Sequence, residues 1–462
     1  MTAPCGPAPA PQIAAKLGGC RLTARVSDAA PAPRAAVPDA RAWVVLGVLC
    51  FVYVLNFLDR QLLSILAKPI QDSLHLTDSQ LGRIGGLYFA LFYCLISIPV
   101  GWLADRSNRT RVLAVACALW SAATVACGLS ASYPQLVASR MAVGVGEAGG
   151  VPPSYAIISD YFPPHRRGTA LGLFNLGPPI GQALGVAIGA SIAAAYGWRP
   201  AFIVLGAVGI FAALLVVSVV REPRRGGLDP AAAPRAPGAA APKAGFADTV
   251  RSFVANPALM LAALGSGATQ IVTYGGGNFS TLFLMREKGM TLKQVALYYA
   301  ILVAVCMGGG IFVSGRVIDR FAHRSKPAYA LIPALSLIAA APLFVGFVWA
   351  PTWPLALAFL AGPTFLNYFY LSSSVTLVQQ EVRPDQRVLS GALLLLVMNL
   401  IGMGVGPTFV GAMSDHLRPD HPHNSLQLAL ICLLPFYGLA IVLFLVLARV
   451  LQRQAANSGP KT

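Results

Sequence analysis

The sequence predicts an all-α membrane protein of twelve transmembrane helices in two six-helix bundles. Three observations predict it. Hydrophobic residues make up 56% of the 462-residue chain and charged residues only 11%, whereas a soluble chain carries about 25% charged residues. Apolar stretches recur that are long enough, at about 1.5 Å per helical residue, to cross a hydrocarbon core of about 30 Å. A hydrophilic stretch near the middle divides those stretches into two sets of six.

Taken in order, residues 1–40 are rich in Ala and Pro with scattered Arg, and read as a disordered cytoplasmic tail. Leu17-Gly18-Gly19-Cys20 has the outline of a lipoprotein cleavage box, but no apolar region precedes it, so lipidation is not expected. Residues 41–220 hold the first bundle, with spans near 42–66, 80–104, 111–131, 134–160, 168–195 and 199–220. A cytoplasmic linker covers 221–256, where Arg221-Glu222-Pro223-Arg224-Arg225 leads into an Ala/Pro stretch. Residues 257–451 hold the second bundle, with spans near 257–285, 293–318, 327–349, 353–380, 388–414 and 426–450, and 452–462 form a second cytoplasmic tail.

The formal net charge of +17 raises the question of nucleic acid. The Lys and Arg residues sit in short loops between apolar spans rather than on one soluble face, so no nucleic-acid partner is expected. Loops at 105–111, 163–167, 221–251, 319–326 and 383–387 are rich in Arg, and those at 130–135, 196–200 and 349–354 are nearly uncharged. That alternation places both termini in the cytoplasm, with the 286–293 loop as a mild exception, and the expected location is the inner membrane of the cell. Cys50, Cys94, Cys117, Cys127, Cys306 and Cys432 are scattered through apolar spans with no CxxC spacing, so neither disulfides nor a metal site is expected. His416, His421 and His423 read as part of a solvated external loop. Without a phosphate-binding Gly-x-x-x-x-Gly-Lys-Ser/Thr loop or room for a soluble nucleotide domain, the chain is expected to be neither an enzyme nor a primary pump. No cofactor or catalytic residue is expected.

One stretch carries the chemistry. Arg140-Met141-Ala142-Val143-Gly144-Val145-Gly146-Glu147-Ala148 puts a cation and an anion about two helical turns apart, on one face of a membrane helix. A charge at that depth costs several kcal/mol unless it is paired or faces a wet cavity. Asp59, about 24 Å into the first span, and Arg140 both fall in the outer third of the bilayer, with Glu147 near its midplane. Asp59 and Arg60 are adjacent and diverge by about 100°, so they do not simply pair with each other. We therefore read Asp59, Arg60, Arg140 and Glu147 as a four-charge cluster of zero net charge. Asp59 and Glu147 are the candidate proton carriers, because no His lies within a span. Arg60 and Arg140 are candidates for an anionic head group, which a guanidinium binds through paired hydrogen bonds. The alternative is a permanently paired network that only holds helices together.

The two halves echo each other. Gly101-Trp102-Leu103-Ala104-Asp105-Arg106 closes the second span and Gly315-Arg316-Val317-Ile318-Asp319-Arg320 closes the eighth. Gly177-Pro178-Pro179 in the fifth span answers Gly406-Pro407 in the eleventh. These echoes, each six spans apart, indicate a duplicated bundle with a parallel repeat. Asp105, Arg106, Arg109 and Asp319 are the gate candidates, because a carboxylate at a helix end can latch a neighbouring helix terminus or an Arg across the cytoplasmic seam. Glu381 and Asp415 are read as further charges at cytoplasmic helix ends. The second half offers polar rather than charged residues, of which Tyr274, Asn278, Asn367 and Tyr368 are the candidate substrate contacts. Taken singly, each is better accounted for by interhelical packing than by cavity lining.

Gly101-Trp-Leu-Ala-Asp105-Arg106-Ser-Asn-Arg109 resembles the signature loop of the major facilitator superfamily, and Arg140-x-x-x-Gly144-x-Gly146-Glu147 resembles its fourth-helix pattern. Asn56-Phe57-Leu58-Asp59-Arg60, Gly101–Arg109, and Gly144–Ala148 followed by Asp160-Tyr161-Phe162 look like the spinster family of that superfamily. Residues 149–155 depart from its pattern. The resemblance implies a proton-coupled transporter working by alternating access. It implies an amphipathic, lipid-like solute, since the eukaryotic members of the spinster family move sphingosine-1-phosphate or lysophospholipids. A symporter of small organic anions such as sugar phosphates or aromatic acids, or a drug exporter, is the alternative. The expected partners are that small amphipathic or anionic solute, protons and the lipid bilayer, and a monomer is expected. A channel would need one continuous pore, which two lobes joined by a latch loop do not supply.

Overall fold

Helices make up every membrane-length passage in the structure, a computed structural model that describes residues 40–223, 246–322, 325–383 and 386–457, apart from the side chains of Asp105, Pro164, His165, Val388, Ala455 and Asn457. Residues 1–39, 224–245 and 458–462, with the Leu17–Cys20 stretch, and the side chain of Asp105 lie outside the described residues; the last helix runs on to Asn457, past the point where a tail was expected to begin at 452.

Among the described residues, ten helices are long and apolar enough to cross a membrane: Ala40–Ile65, Asp78–Ala104, Arg109–Leu129, Arg166–Tyr196, Trp198–Val219, Leu292–Ala322, Ala328–Trp349, Trp353–Glu381, Leu389–Leu417 and Ser425–Gln454. Two more passages run among them. Tyr133–Glu147 and Val151–Tyr161 together make the fourth. Pro257–Arg286 makes the seventh, 30 residues long but diluted by Gly, Ser, Thr and Asn. The result is an all-α membrane fold with the ordering of spans expected above.

Local chemistry sets the ends and breaks. Thr77 and Gln80 form a capping box at the start of the second span, and Thr291 and Gln294 form one at the start of the eighth. Each is followed by a wide π turn, Ile84–Tyr88 and Val295–Tyr299. The same interval of sequence that separates Thr77 from Thr291 separates Gly101 from Gly315, so the repeat extends along the whole span. Asn108 and Asn256 accept a main-chain N–H at the first turns of the third and seventh spans. The fourth, fifth, tenth and twelfth spans are broken, after Glu147, Phe174, Leu366 and Ile431. In the fourth and fifth, the helix restarts at Val151-Pro152-Pro153 and Gly177-Pro178-Pro179, where proline is tolerated because a first-turn N–H is free anyway.

Within the first half the first span packs on the fifth and sixth, and the third on the fourth and sixth. Within the second, the seventh packs on the eleventh and twelfth and the ninth on the tenth and twelfth. The Gly-Pro echo occupies matching places: the fifth span lies against the backbone of the first, and the eleventh against that of the seventh.

The halves meet most tightly at the end of the molecule opposite the described termini, which we call the distal end. There the second span crosses the eleventh. A Cβ at Gly82 would strike the Pro407 carbonyl and lie 3.1 Å from its carbon, and a Cβ at Gly86 would lie 2.9 Å from the Met403 carbonyl oxygen. Only glycine lets the two backbones approach this closely. Gly82→Leu is expected to destabilise the closed arrangement by about 1–3 kcal/mol through overpacking. A thermal melt in detergent checks this, and a melting temperature equal to that of the parent protein would count against it.

Candidate functional site

Polar groups tie the two halves at the distal end. Asp78 is fully buried, and its carboxylate accepts two hydrogen bonds from Arg286 Nη1 at 2.9 Å, one from Arg418 Nη2 at 3.1 Å, one from Ser414 Oγ at 2.6 Å and one from Gln71 Nε2 at 2.6 Å. Asp415 returns the tie by accepting from the main-chain N–H groups of Asp78 and Ser79, at 3.1 and 2.7 Å. Its carboxylate thus sits on the positive end of the second span. Glu287 does the same for the twelfth span through Leu426 and Gln427 N–H. Burial pushes the Glu287 carboxyl above its usual range, against the pull of Arg286 and those two amides.

The expectation that Asp415 lies at the cytoplasmic side is corrected here. The eleventh span begins at the end that carries the described termini, so its last residues stand at the distal end beside Asp78. Arg286 also accounts for the exception in loop charge: it is held there by Asp78.

The expected gate residues lie at the other end. Arg109 is buried and reaches Asp160 Oδ2 at 2.8 Å and Glu222 Oε1 at 3.5 Å, while Glu222 also accepts from Thr110 N–H at 2.9 Å. These groups come from the second-to-third loop, the fourth span and the end of the sixth, all within the first half. Arg106 is exposed and stacks over Trp102 at 4.2 Å. Asp319 is exposed. Lys326 and Glu381 pair at 3.2 Å within the second half.

The four intramembrane charges come together as two unlike subsets. Arg60 Nε donates to Glu147 Oε2 at 2.5 Å, joining the first and fourth spans. The Arg60 side chain keeps 14% of its surface open, whereas that of Glu147 is sealed. Asp59 turns the other way, into the first half, where Thr124 Oγ1 donates to its Oδ2 at 2.5 Å. A small cavity lined by Leu58, Trp120, Ser121, Thr124, Leu205 and Gly206 adjoins it. Arg140 is buried within the same half, and its charge acts on both Asp59 and Glu147. Among the described residues, Asp59 Oδ1, Glu147 Oε1 and Arg140 Nε and Nη1 have no hydrogen-bond partner, and neither amide atom of buried Asn56 has one. These charges are therefore not a fully paired brace within the protein: several of their buried polar atoms lack a protein partner.

Aromatic rings surround the pair. The Arg60 guanidinium lies 4.9 Å from the Phe57 ring, 5.2 Å from Phe89 and 4.8 Å from Tyr93. Tyr53 stacks on Phe174 at 4.3 Å, and Tyr155 meets the same ring edge-on.

The second-half candidates separate. Tyr274 lies within electrostatic reach of Arg60 and Glu147. Tyr368 hydrogen-bonds Gln182 of the fifth span, which in turn accepts from Gln61 of the first at 2.6 Å. This chain of polar groups crosses from one half to the other. Asn278 accepts from Ser64 Oγ at 2.8 Å and belongs to the distal seam. Asn367 is buried at the break in the tenth span, where its amide and the Tyr437 hydroxyl bond each other at 3.0 and 3.3 Å. Its polar atoms are thus used inside the second half.

Gln61, Gln182, Tyr53 and Tyr93 had not been singled out from the sequence. The two glutamines carried a usable signal, since an uncharged amide within an otherwise apolar span asks for a partner on another helix.

Comparison with known proteins gives concordant results. Residues 49–407 match the family described as the Major Facilitator Superfamily. An MFS-type efflux pump of Mycolicibacterium smegmatis is 32% identical over 395 residues, covering 85% of this chain and 89% of the pump. Protein spinster homolog 3 of Danio rerio is 28% identical over 433 residues, covering 88% of this chain and 85% of the relative. A bacterial homolog of the human lysosomal transporter Spinster, solved in an inward-facing and unoccupied conformation, superposes with a TM-score of 0.82 at 29% identity, covering 90% of this chain and 98% of that one.

Proposed function

The chain belongs to the Major Facilitator Superfamily, as a multi-pass membrane transporter with spinster relatives, and from that premise we propose that it couples proton movement to transport of an amphipathic solute with a charged head group. The Arg60–Glu147 pair carries this reading. Glu147 is buried with one oxygen unpartnered, and Arg60 is partly open beside it. Protonating Glu147 releases a guanidinium already framed by aromatic rings, and a free guanidinium in a dry aromatic setting suits phosphate or carboxylate. The rings and the Gln61–Gln182–Tyr368 chain offer apolar and neutral polar surface for the rest of the solute.

In this reading Arg60, Tyr274 and Tyr368 meet the solute. Arg140 instead serves Asp59 and Glu147 from within the first half, Asn278 closes the distal seam, and Asn367 braces the second half. The Arg-rich loops put the end bearing the termini in the cytoplasm. The distal ties then close the outer side, in keeping with the inward-facing relative. Arg109 holds the first lobe together as a rigid unit, and Asp105, Arg106 and Asp319 stand near the edge that closes in the opposite state. Alternating access follows as the two lobes rock about the central groups.

The efflux-pump relative favours a second reading, export of a drug-like or small anionic molecule through the same groups. Vesicles containing the purified protein and an imposed pH gradient separate the two. Labelled lysophospholipid and sphingosine-1-phosphate are expected to accumulate with the gradient and small organic anions are not. Gradient-driven movement of the anions alone would establish the second reading, and uptake indifferent to the gradient would remove proton coupling.

A further inference from the structure

We propose that Phe89 is a positioning residue for the proton site: its ring holds both the Arg60 and the Arg140 guanidinium and keeps Arg140 from bonding Glu147. The inference rests on the reading of Glu147 given above. Phe89 is only 2% exposed, with Arg60 Cζ at 5.2 Å and Arg140 Cζ at 5.3 Å from one and the same ring. An aromatic face attracts each cation. Two guanidiniums would otherwise repel, and here each is steadied by the shared ring.

The placement is built into the helices. Phe89 follows the wide turn Ile84–Tyr88, and a π turn of this kind re-aims the side chains beyond it and is frequent at functional sites. On the fourth span, Gly144 makes room: a Cβ there would lie 3.0 Å from the Phe89 carbonyl oxygen and 3.5 Å from its ring. Phe89 also stacks on Tyr93 at 5.8 Å, which fixes the ring plane.

The unpartnered atoms show what the ring prevents. Arg140 has two donor nitrogens without partners, and Glu147 has one carboxylate oxygen without a partner. Both are on the fourth span and within electrostatic reach, yet they do not bond. Glu147 is faced by Asp59 and Arg60 from the first span, Arg140 on its own span and Tyr274 from the seventh, and its partner Arg60 is faced by Tyr93 and Cys94 from the second. The third span adds Trp120, Thr124 and, near Arg140, Cys127. Of these only Arg60 and Arg140 are cations; Arg60 bonds Glu147, Arg140 acts on it without a hydrogen bond, and Phe89 holds that difference. With both bonded, Glu147 would give up its charge less readily.

The test reads the protonated Glu147 carboxyl directly, by the infrared carbonyl band that disappears in Glu147→Gln, titrated with purified protein and no solute. Phe89→Leu, which removes the ring, is expected to move the midpoint of that band to lower pH by about one unit or more, the effect of a second cation at close range. Phe89→Tyr, which keeps the ring, is expected to leave the midpoint in place. Should Phe89→Leu fail to fold, Phe89→Met fills the space without a ring and reads the same shift. A midpoint in the folded ringless variant equal to that of the parent protein would overturn the role of Phe89 while leaving Glu147 as the proton carrier. A parent protein with no titrating band attributable to Glu147 would remove both.

Discussion

Glu147→Gln is expected to uncouple transport from the proton gradient entirely. One proton moving down one pH unit carries about 1.4 kcal/mol, a factor of ten in solute accumulation. Vesicles holding the parent protein across two units should therefore concentrate solute on the order of a hundredfold, and vesicles holding Glu147→Gln should only equilibrate it. The amide keeps the shape of the side chain but cannot cycle a proton. Arg60→Ala provides the complementary measurement. It strands a buried carboxylate, which costs about 3–5 kcal/mol, so its melting temperature should fall and should recover when Glu147→Gln is added. Gradient-driven accumulation by Glu147→Gln at the parental level would end the proposal that this carboxylate is the coupling group.

Asp78→Ala is expected to open the distal end. The substitution takes from Arg286 and Arg418 the carboxylate they share and leaves them the longer pairs with Glu287 at 3.6 Å and Asp415 at 3.9 Å, so the loss is that of charged hydrogen bonds to partly exposed guanidiniums, about 1.5–3 kcal/mol. That is a factor of about ten to a hundred or more in the balance between closed and open distal states. Ser64 lies behind the tie, 6% exposed and bonded to Asn278. A cysteine placed by Ser64→Cys should react slowly with a membrane-impermeant thiol reagent in the parental background and much faster when Asp78→Ala is added. Equal rates in the two backgrounds would show that Asp78 does not hold the seam.

The sequence alone carried the architecture because membrane-length apolar runs, loop charge and the six-span echoes are properties of single segments. It also brought Asp59, Arg60, Arg140 and Glu147 to one region, since intramembrane charge needs a partner. The helical divergence of Asp59 and Arg60 matches the two opposite environments they occupy. What could not be read was who bonds whom. The acceptor for Thr124 is decided by the packing of the third span, whose hydroxyls look like any others in an apolar run. Asn367 resembled a cavity-lining residue because its partner, Tyr437, is two spans away. Phe89 looked like one more apolar residue, as a wide helical turn leaves no mark in composition. Asp415 was legible after all: counting spans from the first places it opposite the termini.

The crossing of the second and eleventh spans has a consequence for energy economy. Main chain against main chain cannot flicker open as a side-chain plug does within nanoseconds. Parting Gly82 from Pro407 requires a whole lobe to tilt, which belongs to motions of microseconds or slower. A transporter sealed main chain to main chain is expected to leak fewer ions between turnovers than one sealed by side chains alone, which would spare the membrane voltage.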